Sequence, residues 1–241
     1  MPCSTSEPDY QPFPTKGKLS ENLNLPIDKL RQEIGSEQAF VYCYIIATIG
    51  NDQGSFVQAG SGPNFQGDLI TLCTCKRYMR TFKNSTDWPG AWIAGFSGIQ
   101  AGQIGNALVY LMKVDHAFCS HHELWSSNVL SIKTKRAKSA KLHKLGDLFQ
   151  PREEHSGDLF DPQSYYPPCN NHTHIDRDEW HKDIDYIGLR SGRRAALLVG
   201  DVEKSYLWDK PLIYHSNRLG RGQRKSHLQE LLVQLKGEWQ L

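Results

Sequence analysis

The chain of 241 residues has no apolar run that approaches the length of a membrane-spanning helix. Its N-terminus, Met1-Pro2-Cys3-Ser4-Thr5-Ser6-Glu7-Pro8, lacks the basic and apolar stretches of a secretory signal. The expectation is therefore a cytoplasmic protein whose six cysteines are reduced thiols. Strong net charge is also missing: 28 Lys and Arg against 26 Asp and Glu leave +2. Binding to nucleic acid would then rest on a local patch and not on a global field. The glycines from Gly50 to Gly67 have no Gly-Lys-Ser/Thr ending and no helical pattern after them, which excludes a phosphate-loop ATP site. Cys73-x-Cys75 is the wrong spacing for a zinc knuckle or a thioredoxin-like pair. No internal repeat is present.

What remains is a globular composition, 39% hydrophobic and 22% charged, long enough for one large domain or two small ones. Residues 1–18 are polar and Pro-rich, and a tail is expected there. Pro26 opens and Gly35 closes a short helix with Ile27, Leu30 and Ile34 on one face. The expected organisation is a tail and helix over residues 1–35 and a single α+β domain over 36–241. Residues 39–48 are nearly all apolar, β-branched or aromatic and read as a central strand. Residues 87–96 and 107–115 read as two strands of a hairpin around a Gly-rich turn. Ala195–Asp201 is another buried type of strand. Leu228, Leu231, Leu232 and Leu235 stripe a C-terminal helix that Ser226 would cap and Gly237 would end.

Chemistry concentrates around residues 68–80. An apolar strand, Asp68 to Cys73, delivers Cys75, Lys76, Arg77 and Arg80 to its end. Such an arrangement can clamp a phosphate, or can be a core strand with a solvated basic turn. Cys75, flanked by cations, is expected to have a lowered thiol pKa and is a candidate nucleophile; the alternative is that it fills space. Trp88 and Trp92 could form an aromatic wall for a flat ligand or belong to the core. The basic run Lys133, Lys135, Arg136, Lys138, Lys141 and Lys144 reads as a nucleic-acid track or as a solvated face. His172, His174 and Asp176 alternate as metal ligands can, but ordinary hydrogen-bonding histidines are the better reading, so no metal site is expected. His172 is the one favoured as an acid/base or base-edge donor. Asp158, after Gly157, is a candidate base or a turn cap.

The colinear order of Gly62-Pro63-Asn64-Phe65, Thr71-Leu72-Cys73-Thr74-Cys75-Lys76-Arg77-Tyr78-Met79-Arg80 and Gly90-Ala91-Trp92-Ile93-Ala94-Gly95 resembles the nucleotide modification associated domains. Leu108 to Val114, Gly157-Asp158-Leu159-Phe160, His172 and Asp185-Tyr186-Ile187-Gly188 continue the resemblance. These domains are encoded beside bacterial and phage DNA-base modification systems. The chain departs from the pattern in three places: Arg77 follows Lys76 where the family has Pro, Ala91 precedes Trp92 where it has Asp, and Leu159 follows Asp158 where it has Asn.

The resemblance implies a nucleotide-modification context. The resulting expectation is an α+β protein with a bent, mostly antiparallel sheet or a small barrel like those of base-reading domains. It would bind DNA or a nucleotide with a plain or modified base, in a setting of base modification or phage defence. Lys76 and Arg80 would hold phosphate, Trp92, Trp88 and Tyr110 would contact the base, and Asn64, Asp158 and His172 would read or act on it. The alternatives are an enzyme on nucleotides or bases that uses Asp158, His172 and Cys75, and a binding module with no nucleic-acid role. The sequence specifies no cofactor and no oligomeric state.

Overall fold

The computed structural model describes residues 9–153, 157–169, 179–220 and 222–237. The chain opens with α1 (Lys18–Glu21), α2 (Ile27–Ile34) and β1 (Phe40–Ile46), followed by the hairpin of β2 (Ile49–Asp52) and β3 (Ser55–Gln58). Next come β4 (Thr71–Leu72), α3 (Arg77–Arg80), β5 (Trp92–Ser97), α4 (Ile99–Gly102) and β6 (Leu108–Phe118). Then follow α5 (His121–Ser126), α6 (Ile132–Lys138), α7 (His181–Ile184) and β7 (Leu197–Leu207). The last elements are β8 (Ile213–His215), β9 (Arg224–His227), α8 (Leu228–Gln234) and β10 (Leu235–Gly237). Among the described residues, no helix is long and apolar enough to cross a membrane.

The fold is α+β. Its main sheet has the strand order β4-β7-β6-β5-β1-β9. β1 runs parallel to β5, whereas β5–β6, β1–β9 and β4–β7 are antiparallel. The sheet is open, with β4 and β9 at its edges, so the barrel alternative is not realised. The apolar segment 39–48 lies inside the sheet, between β5 and β9, as its two-faced hydrophobicity demands. The stretch expected as a strand from Asp68 to Cys73 pairs only at Thr71 and Leu72. Asp68 has a positive φ of 62°, which interrupts an extended run. The first part of the Gly-rich stretch from Gly50 to Gly67 lies in the β2–β3 hairpin.

By its contacts the chain divides into two compact units. Unit 1 comprises Met1–Gln11, Gly60–Pro89 and Asp115–Gly200; unit 2 comprises Pro12–Ala59, Gly90–Val114 and Asp201–Leu241. Unit 1 has two apolar clusters, one around Leu69, Leu124, Leu148 and Leu197, the other around Phe149, Tyr165 and Trp180. Unit 2 has a larger core, in which Ile27, Leu30 and Ile34 of α2 pack with β1, β5 and the leucines of α8. α8 begins after His227, not Ser226. The His227 side chain accepts from the third residue of the helix while Glu230 reaches back to the His227 N–H, a closed capping box. Residues 235–237 leave the helix to pair with β8.

The expectation that all six cysteines are reduced is corrected by Cys169, which is disulfide-bonded. Cys43, Cys73, Cys75 and Cys119 are free thiols.

Gly95 of β5 marks the tightest approach in unit 2. A Cβ there would overlap the Tyr110 ring and lie 2.7 Å from Ile46 Cδ1. The Tyr110 hydroxyl is held at 2.9 Å from that of Tyr44, so the ring cannot swing aside without breaking a buried hydrogen bond. Gly95→Ala is therefore expected to destabilise the protein by about 1–3 kcal/mol through overpacking. A thermal melt checks this, and an unchanged midpoint would contradict it.

Candidate functional site

The residues with the most chemistry meet in unit 1. Asn64 pairs with Thr71 in both directions, its N–H donating at 2.9 Å and its carbonyl accepting at 2.8 Å. This bridge lays the Gly62-Pro63-Asn64 turn against the segment after β4. Gly62 is required there, because a Cβ would fall 2.8 Å from Cys75 Cβ. Two of the stretches that carry the family resemblance thus fold onto each other.

Beyond β4 the backbone turns sharply. Lys76 adopts the left-handed conformation, φ 55° and ψ 38°, at the entry to the single turn of α3. That turn divides the cations. Lys76 and Arg77 remain half-buried, and Arg80 is fully buried. Arg77 is held by two carboxylates, Glu179 at 3.4 Å and Asp183 at 3.5 Å, and its guanidinium lies 5.6 Å from the centre of the Tyr186 ring. Burial lowers the pKa of the Lys76 ammonium.

Arg80 donates to four backbone carbonyls: Cys75 at 2.9 Å, Thr74 at 3.0 Å, Ala196 at 2.7 Å and Ala195 at 3.4 Å. The expected role of Arg80 as a phosphate clamp is corrected by this geometry, since its guanidinium is spent on the backbone. Its own carbonyl accepts from Trp88 Nε1 at 3.2 Å.

Other expectations change in the same way. Burial pushes the Cys75 thiol up, and the Asp183 carboxylate adds to the effect. The Arg80 charge acts the other way, but burial and Asp183 outweigh it, so the neighbouring cations do not activate Cys75. Trp88 in unit 1 and Trp92 in unit 2 are both fully buried with paired N–H groups, Trp92 donating to Glu37 at 3.0 Å. They are core residues and present no exposed wall. Tyr110 is likewise buried in unit 2. Asn64 is buried and engaged: Lys138 Nζ and the Gln66 N–H donate to its Oδ1, and its Nδ2 donates to Leu145 O. Asp158 is exposed, and its Oδ1 caps the Phe160 N–H at 2.9 Å. His172, His174 and Asp176 lie outside the described residues. Among the described residues, no three or more His, Cys, Asp or Glu side chains are grouped so as to hold a metal ion.

Two buried groups escape a reading by sequence. Lys138 sits in the basic run yet is fully buried. Its ammonium donates to Asn64 O at 2.9 Å, Asn64 Oδ1 at 3.0 Å and Leu69 O at 2.7 Å. These three acceptors satisfy its three protons and keep it charged at neutral pH, although burial brings its pKa down to about 8. The Asp147 carboxylate, which accepts from Thr71 and from the Cys73 N–H, supplies countercharge. The fold shows why Lys138 turns inward. Thr134 lies four residues earlier on the same helical face, and that face packs on Gly67.

His121 is the second such group. Its Nδ1 accepts from the Phe149 N–H at 3.2 Å, which places the ring proton on Nε2. Burial, with the Arg80 charge adding, brings its pKa down to about 3, so the ring is neutral at physiological pH. Adjacent His121 and His122 on a short helix gave no sign of which one turns inward.

A family model described as nucleotide modification associated domain 2 matches residues 39–185. No curated protein and no solved structure matches the chain.

Two outcomes follow from this geometry. Arg80→Met leaves four carbonyls without their donor and is expected to cost about 3–5 kcal/mol of stability, read by denaturant unfolding. A loss under 1 kcal/mol would mean that the guanidinium is not the fastening described. His121 must stay neutral, so its contribution to stability is complete above pH 6.5 and is lost as pH falls toward 3. This loss is on the order of 5 kcal/mol across the window. His121→Asn, which keeps an acceptor for Phe149, is expected to flatten that acid limb. Stability-versus-pH curves of the two proteins that stay parallel would exclude His121 as its source.

Proposed function

The chain belongs to the nucleotide modification associated domain 2 family, and from that premise we propose that it binds a nucleotide, free or within DNA, through unit 1. The structural observation that carries the reading is the division of cations at the left-handed Lys76 turn. Arg80 anchors the turn from inside, while Lys76 and Arg77 stand beside each other at the partly exposed face. Lys76 acts as a point charge for phosphate. Arg77, oriented by Glu179 and Asp183 and packed by Tyr186, acts as a planar donor to a phosphate or base edge. Arg77 stands where the family has Pro, so this contact would distinguish the chain within its family.

The chemistry of the described residues supports binding over catalysis. A thiol pushed up is a poor nucleophile at neutral pH. Asp158 spends a carboxylate oxygen on its own turn. We place the protein in the cytoplasm, in a setting of DNA-base modification or phage defence.

The experiment is a titration of nucleoside 5′-phosphates and of short DNA, plain and base-modified, across a salt series. Lys76→Gln is expected to weaken binding about tenfold and to reduce the logarithmic salt slope by about 0.9, the loss of one phosphate contact. Its melting temperature should stay near that of the parent protein. Failure of every nucleotide and polynucleotide to bind at low salt would overturn the reading. Equal affinity of the variant would remove Lys76 from it.

A further inference from the structure

The hairpin that follows α7 in unit 1 has a construction that phosphate binding at Lys76 does not explain. Ile187 bridges to Arg194, and the Ala195 N–H donates to Tyr186 O at 2.9 Å. The Gly188 N–H donates to Arg193 O at 2.9 Å. The tip is closed twice on Gly188 O, by the N–H of Ser191 at 3.1 Å and by that of Gly192 at 2.8 Å, with Gly192 at φ 65°. Gly188 is pressed on the residue after α3, where a Cβ would lie 2.9 Å from Thr81 Cβ. The tip is therefore held in one shape and mounted on the same turn that carries Arg77 and Arg80.

This rigid tip presents apolar surface to water. Leu189 is 99% exposed and Ile187 is 46% exposed. A leucine in this position forgoes the whole of its burial free energy, about 1.5–3 kcal/mol. Arginines surround it. Arg190, Arg193 and Arg194 are all exposed. Arg194 pairs with Asp185 at 2.9 Å and covers the Phe160 ring at 3.9 Å. Arg193 reaches Phe82 O at 3.4 Å. Arg190 has no ion pair among the described residues. An apolar apex between arginines matches one kind of partner in particular, in which stacked bases alternate with phosphates. Proteins that unstack a duplex insert a single Leu, Ile, Met or Phe between base steps and hold the flanking phosphates with cations. Attachment to a lipid surface uses a wider apolar face with aromatic residues, and the turn residues 188–192 include no aromatic.

We propose that the 186–195 hairpin is a wedge for duplex DNA: Leu189 inserts between base pairs while Arg190 and Arg193 grip the adjoining phosphates. The proposal rests on the nucleotide-binding reading above and extends it. A base within a duplex is reached only once the stack is opened, and the wedge would open it for the nucleotide site.

The test uses full-length protein and a duplex with 2-aminopurine at a central position, whose fluorescence rises when it is unstacked. The parent protein should raise the signal on binding. Leu189→Ala should abolish the rise while its duplex affinity stays within about threefold, since backbone contacts set affinity. Arg190→Ala with Arg193→Ala should weaken duplex binding about tenfold or more and lower the salt slope by nearly two. Leu189 is exposed, so its substitution should leave the melting temperature unchanged, and that control is run with the same samples. A full fluorescence rise with Leu189→Ala would overturn the wedge. So would unchanged affinity in the double arginine variant. Binding to phosphatidylserine vesicles that depends on Leu189, without duplex binding, would overturn it in favour of a lipid surface. Nucleoside 5′-phosphates titrated in parallel separate the two readings. If they bind in a Lys76-dependent way while the duplex signal ignores the hairpin, the wedge fails and the nucleotide site stands.

Discussion

A single guanidinium, buried and donating to four backbone carbonyls, sets the geometry of unit 1. Arg80 collects the carbonyls of Thr74 and Cys75 from its own segment and those of Ala195 and Ala196 from the entry to β7. Both groups of carbonyls end chain segments that have little regular structure to satisfy them. A charged donor with a planar fork can serve several such acceptors at once, which lysine cannot. With this fastening in place, the left-handed Lys76 turn is fixed and the Arg77 guanidinium is held between Glu179 and Asp183. The 186–195 hairpin leaves from Ala195 at a defined position. Both elements proposed to meet a ligand are therefore mounted on one buried cation.

The other buried ionisable groups of unit 1 follow the same economy. Lys138 keeps its charge by giving each proton an acceptor, and Asp147 offsets the charge from nearby. His121 gives up its charge instead, because burial and Arg80 both oppose a second cation in that region. Unit 2 has a more conventional interior of aliphatic and aromatic side chains, with Trp92 stacked on Tyr206 at 6.5 Å. The contrast in chemistry between the two units is why the candidate site is assigned to unit 1.

Much of the fold was legible along the chain. The helix over Ile27–Ile34, the strand in residues 39–48 and the β5–β6 hairpin all follow from apolar periodicity and turn residues. Of the residues expected to form a site, Trp92 and Tyr110 belong to unit 2. Asn64, Cys75, Lys76, Arg80 and Trp88 do share unit 1, and Gly62-Pro63-Asn64 does meet the Cys75 segment. Yet Arg80, Trp88 and Asn64 face inward, where they secure the backbone, and Lys138 left the surface run to join them.

The sequence alone determined the family, the α+β class and the segments that make strands and helices, because these depend on patterns within ten or so residues. Only the tertiary structure decided which cation is buried. α3 is a single turn, too short for periodicity to define a face, so Arg77 and Arg80 are alike until the carbonyls of Ala195 and Ala196 arrive from more than a hundred residues away. The fate of a charge depends on what can solvate it in place of water, and for these side chains that partner is remote in the chain.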